Sequence, residues 1–103
     1  MDARHRVAAF EIVVSPGDAW RIAREIVKES PRTLIVEETD EYLRAECRSA
    51  LFRFVDDLEL QLRPNEGIIA VRSASRVGYS DLGANRRRVE ALRAMLVDRR
   101  IIR

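Results

Sequence analysis

The chain has one cysteine, one histidine, one lysine, and no apolar run approaching the roughly 20 residues that a membrane helix needs. Each scarcity excludes something. Cys47 alone cannot close an intramolecular disulfide, so the fold has no covalent staple and the cytoplasm is the expected compartment. His5 stands near a terminus with no nucleophile and acid beside it in sequence, so a triad with Cys47 has no support. The N-terminus lacks a signal-peptide core, and no membrane segment is expected. The near-absence of lysine (Lys28 alone) removes the usual partner of a two-acid nuclease arrangement.

What remains is a soluble globular composition. Hydrophobic residues make up 47% and charged residues 35% of 103 residues, which suits one domain spanning residues 1–103 with a single core. The net charge of +2 hides an asymmetry. Residues 76–103 hold eight Arg against three acids, while residues 1–75 hold eleven basic residues against fourteen acids. A basic C-terminal third suits an anion or an acidic partner. Eighteen of the nineteen basic residues are Arg, including those far from any patch. That distribution reads as coding bias more than as selection for phosphate contacts, and nucleic acid is not an expected partner.

Periodicity predicts the order β-α-β-β-β-β-α. Residues 7–13 read as a short apolar strand. Ser15-Pro16-Gly17-Asp18 announces a helix, with Ser15 as cap, Pro16 in the first turn and Asp18 at the capping-box position. Ala19, Ile22, Ala23, Ile26 and Val27 repeat at helical spacing, with Trp20 at the edge of their stripe, and Ser30-Pro31 ends the run. Thr33–Glu38 and Tyr42–Arg48 flank a Thr39-Asp40-Glu41 turn, and Cys47 alternates with Ala45 and Leu43 as a small core residue. Phe52–Leu62 alternates Leu58, Leu60 and Leu62 with Asp57, Glu59 and Gln61; after the Arg63–Gly67 loop, Ile68–Ser75 returns beside it. A second helix is expected from about Ala84 to Arg99, burying Val89, Leu92, Met95 and Leu96 and leaving Arg87, Arg93 and Arg100 wet. The fold class is α+β: a two-layer arrangement with an antiparallel sheet of about five strands covered on one face by two helices.

The densest polar stretch is RSASRVGYSDLGANRRRVE, from Arg72 to Glu90. Polar groups concentrated at a strand-to-helix connection need mutual pairing or a bound partner. The series Arg72-Ser73-x-Ser75-Arg76-x-Gly78-x-Ser80-Asp81-x-Gly83-x-Asn85-Arg86-x-Arg88-x-Glu90, with Phe54, Asp56 and Asp57 upstream, resembles the family known as domain of unknown function 1499. With the helix after Pro16 the resemblance extends over most of the chain; the first dozen residues and Glu37 to Ser49 carry little of it. It implies no settled activity, cofactor or catalytic residue. It also implies a mostly bacterial distribution with some members in plastids, several with a membrane or export segment, which this chain departs from.

Three readings of the stretch stand side by side. In the first, the domain is a non-enzymatic binding module for an anionic small molecule or acidic protein partner. Arg72 and Arg76 would contact the anion, Ser73, Ser75 and Ser80 would orient it, and Asn85 and Arg88 would close the helix side, with Asp81 in the same loop. Gly78 and Gly83 would let the backbone approach. Arg86-Arg87-Arg88 at a helix start opposes the helix dipole, a conflict that a bound anion, or Asp81 and Glu90, would relieve. In the second, the cluster braces the fold: Arg72 and Arg76 bind Asp57, Glu59 or Asp81, and Ser80 or Asp81 caps the helix. In the third, Asp56 or Asp81 is a general acid/base. No nucleophile, cofactor or metal is expected: Asp56 and Asp57 are adjacent on a strand and point to opposite faces, and GYSDLG lacks the GKS/T ending of a phosphate-binding loop. Tyr79 would pack over its own turn.

Hairpin register decides which of these residues share a face. Uniting Leu58, Leu60 and Leu62 with Ile69 and Val71 predicts Ser73 and Ser75 beside Asp56 on the core side and Arg72 opposite Asp57 and Glu59 outside. A one-residue slip would instead bring Asp56 to Arg72 and Arg76.

Overall fold

A computed structural model describes residues 7–49, 54–76 and 83–103. Its elements are β1 (Phe10–Glu11), α1 (Pro16–Glu29), β2 (Thr33–Glu38), β3 (Tyr42–Arg48), β4 (Val55–Arg63), β5 (Ile68–Ser75) and α2 (Ala84–Asp98). The strands form one antiparallel sheet in the order β1-β5-β4-β3-β2. The fold is α+β.

Local chemistry accounts for the element ends. The Ser15 hydroxyl accepts from the Asp18 amide at 3.3 Å, and Pro16 fills the first turn, where a missing N–H costs nothing. At the C-terminal end of α1, the Ser30 hydroxyl donates to the Ile26 carbonyl. The β4–β5 connection is a single 3-10 turn, Pro64–Glu66, closed by Gly67 at φ 66°, the left-handed region that a Cβ disfavours.

The sheet buries one face. Leu43, Ala45 and Cys47 of β3, Leu58, Leu60 and Leu62 of β4, and Ile69 and Val71 of β5 belong to a single core with Ala19, Ala23 and Val27 of α1 and Val89, Leu92 and Leu96 of α2. Trp20 lies in that core. Leu58 opposes Ser73, Leu60 opposes Val71 and Leu62 opposes Ile69, which is the register that unites the apolar residues. The slipped alternative is absent.

Two expectations need correction. The first strand is far shorter than residues 7–13: only Phe10 and Glu11 pair with β5, and Ile12 makes an isolated bridge to Ile102. The Arg93 guanidinium takes the carbonyls of Ala8 and Ala9, so these residues answer to a helix and not to the sheet. The second concerns α2. Met95 is 42% exposed, whereas Arg93 turns inward, its guanidinium carbon 4.8 Å from the centre of the Phe10 ring. A guanidinium with a long apolar stem can stack on an aromatic and bond carbonyls at once, which a hydropathy pattern cannot register.

Candidate functional site

On the buried face, the polar residues of β4 and β5 meet the first turns of α2. Asp56 opposes Ser75 across the ladder, two pairs beyond Leu58 and Ser73 and on the same face, so the core turns polar at this end of the hairpin. Arg88 reaches down from α2: its Nη1 lies 3.0 Å from Asp56 Oδ2 and donates to Asn85 Oδ1 at 2.8 Å and Ser73 Oγ at 3.1 Å. Ser73 Oγ donates to Asn85 Oδ1 at 2.5 Å, and Asn85 Nδ2 donates to Ser75 Oγ at 3.1 Å. Asp56, Ser73 and Asn85 are each at most 9% exposed. Burial that deep makes every unmade bond costly, yet no buried side-chain nitrogen or oxygen among the described residues lacks a partner. Cys47 opposes Asp56 on the same face, and burial pushes its thiol above the ordinary range.

On the opposite face, the same two strands carry a lattice of ion pairs. Arg76 grips Asp57 with two bonds, Nε to Oδ2 at 3.0 Å and Nη2 to Oδ1 at 2.9 Å, and reaches Glu46 on β3 at 2.6 Å. Arg44 adds a bond to Asp57 at 3.1 Å. Arg72 lies 2.7 Å from Glu59, which also accepts the Tyr42 hydroxyl at 2.7 Å. These donors set the titration. The Arg76 guanidinium first, then Arg44, holds Asp57 below its ordinary range. Tyr42 and then Arg72 do the same for Glu59. Bonding to Glu59, helped by burial, pushes the Tyr42 phenol up to about 12.

The structure thus divides the sequence-nominated residues between two faces. Asp56, Ser73, Ser75, Asn85 and Arg88 come together inside; Asp57, Glu59, Arg72 and Arg76 come together outside. Gly83 occupies the helix N-cap position at φ 82° with no side-chain cap. Gly78, Ser80 and Asp81, with Tyr79 and the capping roles considered for Ser80 and Asp81, lie outside the described residues. Sequence reasoning missed Tyr42, Arg44 and Glu46. Their signal was present: they alternate with Leu43, Ala45 and Cys47, so they must face outward, toward the acids of β4.

Asp56 and Asp57 point to opposite faces, and among the described residues no three His, Cys, Asp or Glu side chains converge as metal ligands. No described helix is long and apolar enough to cross a membrane.

A family model described as "Protein of unknown function (DUF1499)" matches residues 1–96. The chain belongs to the DUF1499 family. The match runs through both polar clusters and most of α2. No curated protein and no solved structure matches the chain.

Proposed function

We propose that this DUF1499 domain is a non-enzymatic interaction module that recognises an acidic partner or anionic group through the segment from residue 72 to 90. In this reading the inner cluster is scaffold. Ser73, Ser75, Asn85 and Arg88 tie β5 to α2, so that the cations around them stand in fixed positions. The observation that supports it is the division of the guanidiniums. Arg72, Arg76 and Arg88 each sit on a carboxylate, whereas Arg86 is exposed and has no ion pair among the described residues. Arg72 and Arg76, at 53% and 42% side-chain exposure, keep open sides on which a further acidic oxygen would bind. A cytoplasmic setting belongs to the same reading.

Acid–base chemistry draws less support. Of its two candidates, Asp81 lies outside the described residues, and Asp56 is buried on the Arg88 guanidinium, away from any solvent-borne substrate. The rival with a specific observation behind it is pure bracing, since the inner network is saturated without a ligand.

Thermal unfolding of the purified domain with phosphate, citrate, nucleotides and oligoglutamate separates the two. A ligand at 100 times its dissociation constant adds about 2.7 kcal/mol of stability. The interaction reading expects a shift with anions that is lost in a folded Arg76→Ala variant. Bracing expects a flat screen and an Arg76→Ala variant that is itself destabilised.

A further inference from the structure

The two edges of the sheet are not alike. The edge at β2 is blunted: its register slips between Ile35 and Glu37, and Glu37 and Glu38 place charge beyond the bulge. Bulges and charges are the usual devices that stop an edge from pairing with another chain. The edge at β5 has no bulge, and its one charged strand residue is Arg72. Its register with β4 is unbroken from Ile68 to Ser75, and β1 covers only Ile68 and Ile69.

The ladder shows which groups that edge offers. The Ile12 amide bonds the Gly67 carbonyl and the Arg76 amide bonds the Val55 carbonyl. Antiparallel pairs alternate between bonded and non-bonded, so Ala70, Arg72 and Ala74 turn their N–H and C=O toward β4. Val71, Ser73 and Ser75 turn theirs outward. Among the described residues no strand meets them.

α2 shows what would. It runs back along β5: Asn85 bonds Ser75 and Ser73 at one end, and Arg93 stacks on Phe10, the partner of Ile69, at the other. At that far end Arg93 already holds flanking backbone, donating to the Ala8 carbonyl at 2.6 Å. Arg86 precedes Arg93 by two helical turns, on the same stripe and about 10.5 Å back along the axis. That distance is about three strand residues, which counted from Ile69 sets Arg86 at the level of Arg72. Arg86 is exposed and without an ion pair among the described residues. On the other side of the sheet Arg72 flanks the same edge, between the small Ala70 and Ala74.

We propose that the β5 edge from Val71 to Ser75 accepts an extended acidic peptide segment of a protein partner. The added strand would bond the Val71, Ser73 and Ser75 backbone and set carboxylates against Arg86 on the helix side and Arg72 outside. This rests on the interaction reading above and names the partner of that site: main-chain bonds hold the segment and alternate side chains select it.

The test is amide hydrogen exchange on the 15N-labelled full chain, free and with a capped nine-residue peptide of three Glu-Glu-Val repeats, which sets glutamate on both faces of the added strand. In the free protein, the Val71, Ser73 and Ser75 amides exchange well ahead of those of Ala70, Arg72 and Ala74. The peptide slows those three. Its glutamine counterpart binds roughly tenfold more weakly, about 1.4 kcal/mol, as does the acidic peptide to Arg86→Glu. Peptide N-methylated on its edge-facing amides does not slow them. Equal protection of all six amides in the free protein overturns the proposal, because the edge is then occupied. So does acidic-peptide binding that leaves the three unchanged, or no binding at millimolar peptide. If phosphate or citrate still stabilises the wild type and not Arg76→Ala, the interaction reading survives that loss. If no anion does, both fall.

Discussion

The same two strands, β4 and β5, carry a polar cluster on each face, and the two are built on opposite principles. Inside, Asp56 is paired with one guanidinium, which also bonds the Ser73 hydroxyl and the Asn85 amide, and that amide in turn bonds Ser75. Outside, four arginines (Arg44, Arg48, Arg72 and Arg76) share Glu46, Asp57 and Glu59 with water at hand. The bonds are of similar length. Burial is what separates them: Asp56 cannot recover solvent when its partner is removed, whereas Asp57 and Glu59 can. The inner cluster therefore governs how β5 and α2 are held together, and the outer one governs the charge that the sheet presents.

That contrast breaks first, and hardest, at Arg88. Arg88→Met leaves Asp56 buried without its cation, and a loss of roughly 3 kcal/mol is expected in urea unfolding. A loss below 1 kcal/mol would show that the inner pair is solvated in solution. Asn85→Ala strips the Ser73 hydroxyl of its acceptor and should cost about 2 kcal/mol, with a double-mutant cycle against Ser73→Ala revealing strong coupling.

The outer face is probed by titration. The Tyr42 phenol, isolated as the difference from Tyr42→Phe, should ionise near 12 and not at its ordinary 10.0. Its folded value is raised, so the stability it adds is whole below pH 10.0 and is lost as pH climbs toward 12. Asp57 and Glu59 have the opposite sign. Their folded values lie below 3.8 and 4.5, so their contribution is present above those values and fades as the solution is acidified through the lower folded ones. In an Arg72→Ala/Arg76→Ala double variant this acid limb of the stability curve should flatten.

The smallest effect belongs to Arg76→Ala alone. Its partners are reachable by water, so the change in unfolding temperature should be well below that of Arg88→Met and shrink further in high salt. An Arg76→Ala loss equal to the Arg88→Met loss would erase the distinction between the two faces.

Much of this was legible beforehand. Alternation is a local property with a fixed period, so Leu58, Leu60 and Leu62 declared a buried face and forced Asp57 and Glu59 to the other. Matching them to Ile69 and Val71 then settled the hairpin register and brought Asp56 to Ser73 and Ser75. The Ser15–Asp18 helix start needs only neighbours in sequence, and it formed where those neighbours stand. What failed to show was whatever depends on a long side chain finding a distant partner. Arg93 looked like one more wet arginine, yet the Phe10 ring and the Ala8 carbonyl draw it inward and cut β1 to two residues. Arg76 was expected near Asp57, but its bond to Glu46, thirty residues away, requires β3 to lie beside β4.

The order of elements, the buried face and the residues that had to meet are thus properties of the chain alone, because each follows from a short-range period or from matching apolar rows. Tertiary structure alone decided which guanidinium serves which carboxylate, and which stretch of β5 no strand covers among the described residues. A flexible cation can reach any acid within its length, and only the packing of the elements, β3 beside β4 for Arg76 and α2 across β5 for Arg88, chooses among them.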